Sequence, residues 1–234
     1  MREIILGILL ISNSLFATSI YATFDIKAFK SANLAFSNGG TIDFIKVDIS
    51  SDVNTNDILA TLNNDDLKAS LDIAKITLKF AQKDMKRQDK IRNIIDKAKY
   101  DSYEYKYENA KAQVAYKQAV YEKSILKAPF NGTIVSKNIE VGDVVTGANP
   151  KTVFQIQSKY KRKLILKFDQ KYALKVNIGD TFNYKIDADN KEYRGTISKI
   201  YPAIDIATRK VIAEVITKDL TVGLFGDGYI TTKK

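Results

Sequence analysis

Residues 40–50 read Gly-Thr-Ile-Asp-Phe-Ile-Lys-Val-Asp-Ile-Ser, and residues 132–142 read Gly-Thr-Ile-Val-Ser-Lys-Asn-Ile-Glu-Val-Gly. Each stretch opens on Gly-Thr-Ile and closes on an acidic, an aliphatic and a small residue: Asp48-Ile49-Ser50 in the first, Glu140-Val141-Gly142 in the second. Each then passes through a polar turn into a β-type run, Ile58-Leu59-Ala60-Thr61-Leu62 or Val153-Phe154-Gln155-Ile156. Two β-rich copies of one pattern, with Gly, Asp and Asn at the turns, predict two quasi-symmetric halves of a small β-sandwich.

Between the copies the hydrophobic period changes from two to three and a half. From Asp65 to Lys127 there is no Gly and no Pro. Leu67, Leu71, Ala74, Leu78, Ala81 and Met85 follow a 4-3-4-3-4 spacing, the seam of a coiled coil. Carried onward, that phase meets polar residues. A second seam starts out of phase at Tyr100, Tyr103, Tyr107, Ala110 and Val114 and resumes at Tyr121. Two seams out of phase across a polar stretch predict a helical hairpin with its turn between Arg87 and Asp96. Asn64 or Asp65 is placed to cap the first helix, and Asn93 or Asp96 the second. Pro129 forbids helix at Ala128.

Residues 159–234 return to β character. Leu164–Phe168, Thr181–Ile186, Gly195–Ile200 and Lys210–Val215 are rich in β-branched and aromatic residues, with turns at 177–180 and 187–190. Short strands with regular turns predict a small barrel or sandwich.

The 234 residues suffice for one large domain or two small ones. Cysteine and histidine are both absent. Disulfides, a cysteine nucleophile, a Ser-His-Asp triad and a His/Cys zinc site are excluded, and catalysis is not expected. The net charge of +10 admits nucleic acid, an anionic membrane or an acidic protein as partner. Alternating sign along the chain disfavours nucleic acid. Residues 2–22 have the layout of an export signal: Arg2, the apolar run Ile4–Ile11, then small residues at Ala17, Ser19 and Ala22. Cleavage is expected after Ser19, with an uncleaved anchor as the alternative.

With these residues in place, the chain resembles the periplasmic adaptor (membrane fusion) proteins of bacterial tripartite efflux pumps, most closely the resistance–nodulation–division type. Leu126-Lys127-Ala128-Pro129-Phe130-Asn131-Gly132-Thr133-Ile134 with Glu140–Val145 is similar to the family's second half-lipoyl motif. Asp48–Val53 with Asp57–Leu62 is similar to the first half. Ile200–Arg209, with Pro202, Asp205, Thr208 and Arg209, resembles the barrel signature, and Gly223–Gly226 the glycine turn near the barrel's end. Where the family carries glycines in its first-half turns this chain has Ser50 and Asn56, so that half is expected to turn differently.

The resemblance implies a mixed α and β, elongated fold: a half-lipoyl β-sandwich interrupted by an α-helical coiled-coil hairpin and followed by a small β-barrel. Its expected limits are a leader at 1–19, an N-terminal strand at 20–37 joining the barrel or a minimal membrane-proximal region, and a first half-motif at 38–64. The hairpin would take 65–127, the second half-motif 128–158 and the barrel 159–234. The implied function is that of a non-enzymatic periplasmic adaptor without cofactor or metal, associated with the inner membrane of a Gram-negative bacterium. It would bridge an inner-membrane transporter and an outer-membrane channel for export of drugs or other toxic compounds, self-associating into a ring of six. An ATP-driven export system, a lipoyl-like carrier and a free coiled-coil binding protein are the alternatives.

Arg87, Ile91 and Asp96 are the expected channel contacts at the hairpin tip. Lys159, Lys161, Arg162 and Lys163 form the densest basic cluster, expected at a transporter or at the inner-membrane surface. Pro202, Asp205, Thr208 and Arg209 are expected to be structural. Tyr100, Tyr103, Tyr105, Tyr107, Tyr116 and Tyr121 are unusual in a coiled coil: seam packing is expected for those at 100, 103, 107 and 121, with lateral contact between neighbouring hairpins as the alternative.

Overall fold

The structure, a computed structural model, describes residues 19–189 and 191–232. They fall into two compact units, residues 30–159 and the flanking residues 19–29 with 160–232. The leader expected at 1–19 lies outside the described residues except for Ser19.

Strand β1 (Ser19–Ala28) belongs to the flanking unit. The inner unit contains β2 (Ser31–Leu34), β3 (Gly40–Ile45), β4 (Asp52–Val53) and β5 (Ile58–Leu62), then helices α1 (Asp65–Asp89) and α2 (Lys97–Glu122). It continues with β6 (Ile125–Lys127), β7 (Gly132–Lys137), β8 (Val144–Val145) and β9 (Phe154–Ser158). Strands β10 (Lys161–Asp169), β11 (Thr181–Ile186), β12 (Glu192–Ile200), β13 (Lys210–Lys218) and β14 (Phe225–Thr231) complete the flanking unit.

The inner unit has two four-stranded sheets, ordered β2-β9-β7-β4 and β6-β5-β3-β8. Exchanging β3 with β7, β4 with β8, β5 with β9 and β6 with β2 turns one sheet into the other. The two copies interlock where each turn meets the other copy's Gly-Thr-Ile. Ser50 N donates to Ile134 O at 2.8 Å, and Ile134 N donates to Ser51 O at 2.9 Å. In mirror fashion, Gly142 N donates to Ile42 O at 2.9 Å, and Ile42 N donates to Asp143 O at 2.8 Å. Ile42 and Ile134 are fully buried, and both sheets feed one core with Leu59, Leu62, Phe154 and Ile156. Each hairpin slips register just after its isoleucine, between Ile42 and Phe44 and between Ile134 and Ser136.

The expectation of a different first-half turn is corrected. Ser50 (φ 71°) and Asn56 (φ 70°) adopt the left-handed conformation without glycine, as Gly142 does at φ 93°. The Asp48–Ser51 turn compensates locally: Asp48 N donates to Ser51 Oγ at 3.0 Å, as Glu140 N donates to Asp143 Oδ2 at 2.8 Å.

The helices run antiparallel. Tyr100 at the start of α2 bonds Asp89 at the end of α1, while Asn64 before α1 bonds Ser124 after α2. Their seams match the periodicity: Leu71, Tyr100 and Ala110 are buried, and Leu67, Ala74, Leu78, Ala81, Met85, Tyr103, Tyr107, Val114 and Tyr121 are half-buried. With 25 and 26 residues the arms reach about 38 Å. Asp96 caps α2, accepting from Lys99 N at 3.1 Å. Asn64 makes no such cap; its amide is turned to Ser124 Oγ. Helix α2 stops at Glu122, five residues before the expected limit, because β-branched Ile125 and its neighbours pair with β5 as a strand.

The flanking unit is a closed barrel in the order β1-β10-β13-β12-β11-β14. Strand β1 alternates strictly, sending Ile20, Ala22, Phe24, Ile26 and Ala28 inward. Phe24, Phe182, Tyr184 and Tyr193 form a run of ring contacts inside. One barrel end carries the loops 170–180 and 201–209 with the start of β1 and the end of β14. The opposite end carries the loops after β11 and after β13.

Candidate functional site

The helical tip is built by residues 87–96. The last turn of α1 passes into a turn held by Ile91 N to Gln88 O at 3.0 Å and Ile95 N to Ile91 O at 3.0 Å. Arg92 lies over the Tyr100 ring at 5.0 Å. The Tyr100 hydroxyl donates to Asp89 Oδ1 at 2.8 Å, and that bond to a carboxylate pushes its pKa up. These contacts give the turn one shape and decide which side chains it shows.

Of the three expected tip residues, Arg87 is exposed and donates to Asp84 on its own helix. Ile91 is 44% exposed in the turn. Asp96 uses its carboxylate to cap α2, so its role at the tip is to hold the turn. Of the turn's large apolar side chains the most exposed is Ile94, at 86%, which the spacing argument passed over. The Ile94-Ile95 pair in a polar stretch was the available signal: Ile95 tucks in and Ile94 points out.

Along the helical pair a groove of about 580 Å³ is lined by Ile73, Thr77 and Phe80 of α1 and by Tyr103, Lys106 and Asn109 of α2. Ile73, Ile76 and Phe80 form an exposed stripe outside the α1 seam. Tyr105 and Tyr116 are exposed on α2, whereas the seam tyrosines pack inward.

The basic cluster is engaged within the chain. Lys159 pairs with Asp52 in the inner unit, and Asp52 also accepts from Thr133 Oγ1 at 2.7 Å. In the barrel, Lys161 sits 3.8 Å from the Phe29 ring centroid. Arg162 Nε donates to Leu220 O at 2.8 Å, and Lys163 Nζ lies 3.5 Å from Glu214, a buried carboxylate that also accepts from Tyr201 at 2.8 Å.

The signature residues shape one barrel loop. Asp205 accepts from Thr208 N at 3.2 Å and Ala207 N at 2.9 Å, and the Thr208 N–H and hydroxyl, with Ala207 N–H a lesser partner, hold its pKa below the usual carboxylate value. Arg209 takes φ 52° and donates its N–H to Asp205 O at 2.7 Å. Pro202 and Thr208 are exposed. Among the described residues no cluster of acidic side chains is arranged to hold a metal ion, and no helix is long and apolar enough to cross a membrane.

No protein-family description and no curated protein matches this sequence. Solved structures do. A chimeric MacA–MexA protein, containing the Pseudomonas aeruginosa MexA alpha-hairpin domain, superposes with a TM-score of 0.83 at 19% identity, over 93% of this chain and 80% of the other. The fold is that of the membrane fusion proteins. The membrane fusion protein Spr0693 from Streptococcus pneumoniae shares it at TM-score 0.74 and 15% identity, over 92% of this chain and 100% of its own. A putative efflux transporter from Bacteroides eggerthii shares it at TM-score 0.71 and 17% identity, over 92% of this chain and 69% of its own.

Proposed function

We propose that this protein is the periplasmic adaptor subunit of a tripartite efflux system. It has no catalysis of its own and joins an inner-membrane transporter to an outer-membrane channel. The observation that carries this reading is the helical pair inserted between two interlocked β halves, ending in a turn that exposes Ile91 and Ile94 just after the exposed Arg87. A small apolar knob next to a guanidinium suits a groove between helices of a partner, where the knob fills a pocket and the guanidinium meets carboxylates or carbonyl ends.

The barrel is the part we assign to the transporter, which the resemblance at Pro202–Arg209 suggests is proton-driven, of the resistance–nodulation–division type. Lys161, Arg162 and Lys163, with Lys159 before them, are proposed as its charged contacts. Intramolecular partners already orient these side chains, which lowers the entropy lost on docking. The Ile73-Ile76-Phe80 stripe, with Tyr105 and Tyr116, is proposed to join neighbouring copies side by side in a ring of six. The exported compound would then be a drug or other toxic molecule, with energy supplied by the transporter.

Photo-crosslinking in cells tests the reading. A probe at Ile94 is expected to capture an outer-membrane channel, and one at Lys161 an inner-membrane transporter whose identity reports proton or ATP coupling. Capture of no envelope protein from either position overturns the adaptor role.

A further inference from the structure

The two ends of the barrel differ in what their loops expose. At the end where β1 begins, Leu174 is 99% exposed and Ile206 is 92% exposed, with Ile178 and Ile204 also exposed beside them. At the opposite end, the described residues of the loops after β11 and β13 expose no large aliphatic side chain: Leu220 and Leu224 pack against the core, and the exposed apolar residues there, Tyr160 and Phe225, are aromatic. Single exposed apolar residues are ordinary, but four on two adjacent loops at one end form a patch.

Contacts within these loops hold the aliphatic tips outward. Around Leu174, Tyr172 packs on the barrel core and Val176 is buried within it, which forces the residue between them outward. Asn177 N donates to Asp180 Oδ2 at 2.8 Å, closing the loop below Ile178. In the second loop, the Asp205 carboxylate gathers the N–H groups of Ala207 and Thr208, and Ile206 projects between them. A hydrogen bond from Gln170 N to Arg209 O at 3.3 Å ties one loop to the other.

The loops that carry the aliphatic tips are also basic. Lys171, Lys175 and Arg209 are exposed on the same two loops. The loops' two acidic side chains, Asp180 and Asp205, are turned to backbone N–H groups, and Asp180 is buried. An outward face of aliphatic tips with cations on the same loops matches the boundary of an anionic bilayer, where alkyl groups enter the acyl region and cations meet phosphates.

We propose that the loops 170–180 and 201–209 form a lipid-facing surface that inserts Leu174 and Ile206 into an anionic bilayer. This goes beyond the adaptor reading, because it stands on the barrel alone and holds whether or not the helical tip meets a channel. It also places the membrane contact at the barrel end opposite Lys161 and Arg162.

The chain has no cysteine, so one introduced at 206 or 174 carries a polarity-sensitive fluorophore at a single place. Purified protein is mixed with vesicles of phosphatidylcholine, with and without phosphatidylglycerol. The expected result is a blue shift for probes at 206 and 174 with phosphatidylglycerol vesicles only, weakened by salt, and none for a probe at 221 on the opposite end. The double variant Leu174→Asp, Ile206→Asp, checked for an unchanged melting temperature, is expected to lose at least ~tenfold in vesicle partitioning. Equal shifts at 206 and 221 overturn the proposal. So does unchanged partitioning of the double variant, which would place the binding elsewhere on the protein. No shift at 206 together with crosslinking there to a membrane protein overturns it in favour of a protein partner.

Discussion

The two halves of the inner unit carry one pattern and solve it differently. At the equivalent turns, the second half uses Gly142, for which a left-handed backbone costs nothing, while the first holds Ser50 there at φ 71°. At the equivalent crossings, Thr133 lies opposite Asp52, which also pairs with Lys159, whereas Thr41 lies opposite the exposed Val144. What both halves keep is the buried isoleucine and its exchange of backbone hydrogen bonds with the other copy. The symmetry therefore resides in the backbone and core, and the surface is free to differ.

The strongest test of that view is at the core. Ile42→Ala and Ile134→Ala are each expected to destabilise the protein by about 2–5 kcal/mol, and by similar amounts, in chemical denaturation. A twofold disparity between them would break the equivalence. Next come the glycines that open each copy. A Cβ on Gly132 would run into the Gln157 carbonyl, while one on Gly40 meets only the Leu62 side chain at 3.3 Å. Gly132→Ala is expected to cost about 1–3 kcal/mol and Gly40→Ala distinctly less, since a leucine rotamer gives way more readily than a strand.

The turns give a smaller effect of opposite signs. Gly142→Ala is expected to destabilise by about 1 kcal/mol and Ser50→Gly to stabilise by less than that, each read from the unfolding midpoint. The smallest signal is the pH dependence. Hydrogen bonds from Lys159 and then Thr133 hold the Asp52 pKa below its ordinary value. A depressed carboxylate adds stability that is complete above the unfolded pKa and fades as pH falls through that range toward the folded value. Wild-type stability should therefore drop more steeply below about pH 4 than that of Asp52→Asn, while Val144→Ala leaves the acid slope unchanged.

Much of this was legible in the sequence because it is periodic. The coiled-coil seams, the turn between them and the Gly-Thr-Ile repeat all depend on spacing, and the packed faces fall where the spacing put them. The Asp96 cap was legible as one of two options. The positive φ at Ser50 and Asn56 was not, because it rests on turn bonds and interlocked strands that override the local preference. Asn64 looked like a cap, but a tertiary partner, Ser124, takes its side chain. Ile94 and Ile206 were hidden for a related reason: each lies near another isoleucine, Ile95 or Ile204, in a short loop that carries no period, and only loop geometry decides which side chains point out.

One feature of the inner unit bears on how such molecules diversify. The chain leaves β5 for α1 and returns from α2 into β6, and these strands are hydrogen-bonded neighbours, with Leu62 N donating to Ser124 O at 2.9 Å. The exit and the entry are thus stitched together at the root. Inserting or deleting seven residues in each arm keeps both seams in phase and changes the reach by about 10 Å per step, without moving a residue of the sandwich. The helical pair behaves as a ruler with graduated marks, and evolution can slide to another mark without redesigning its handle.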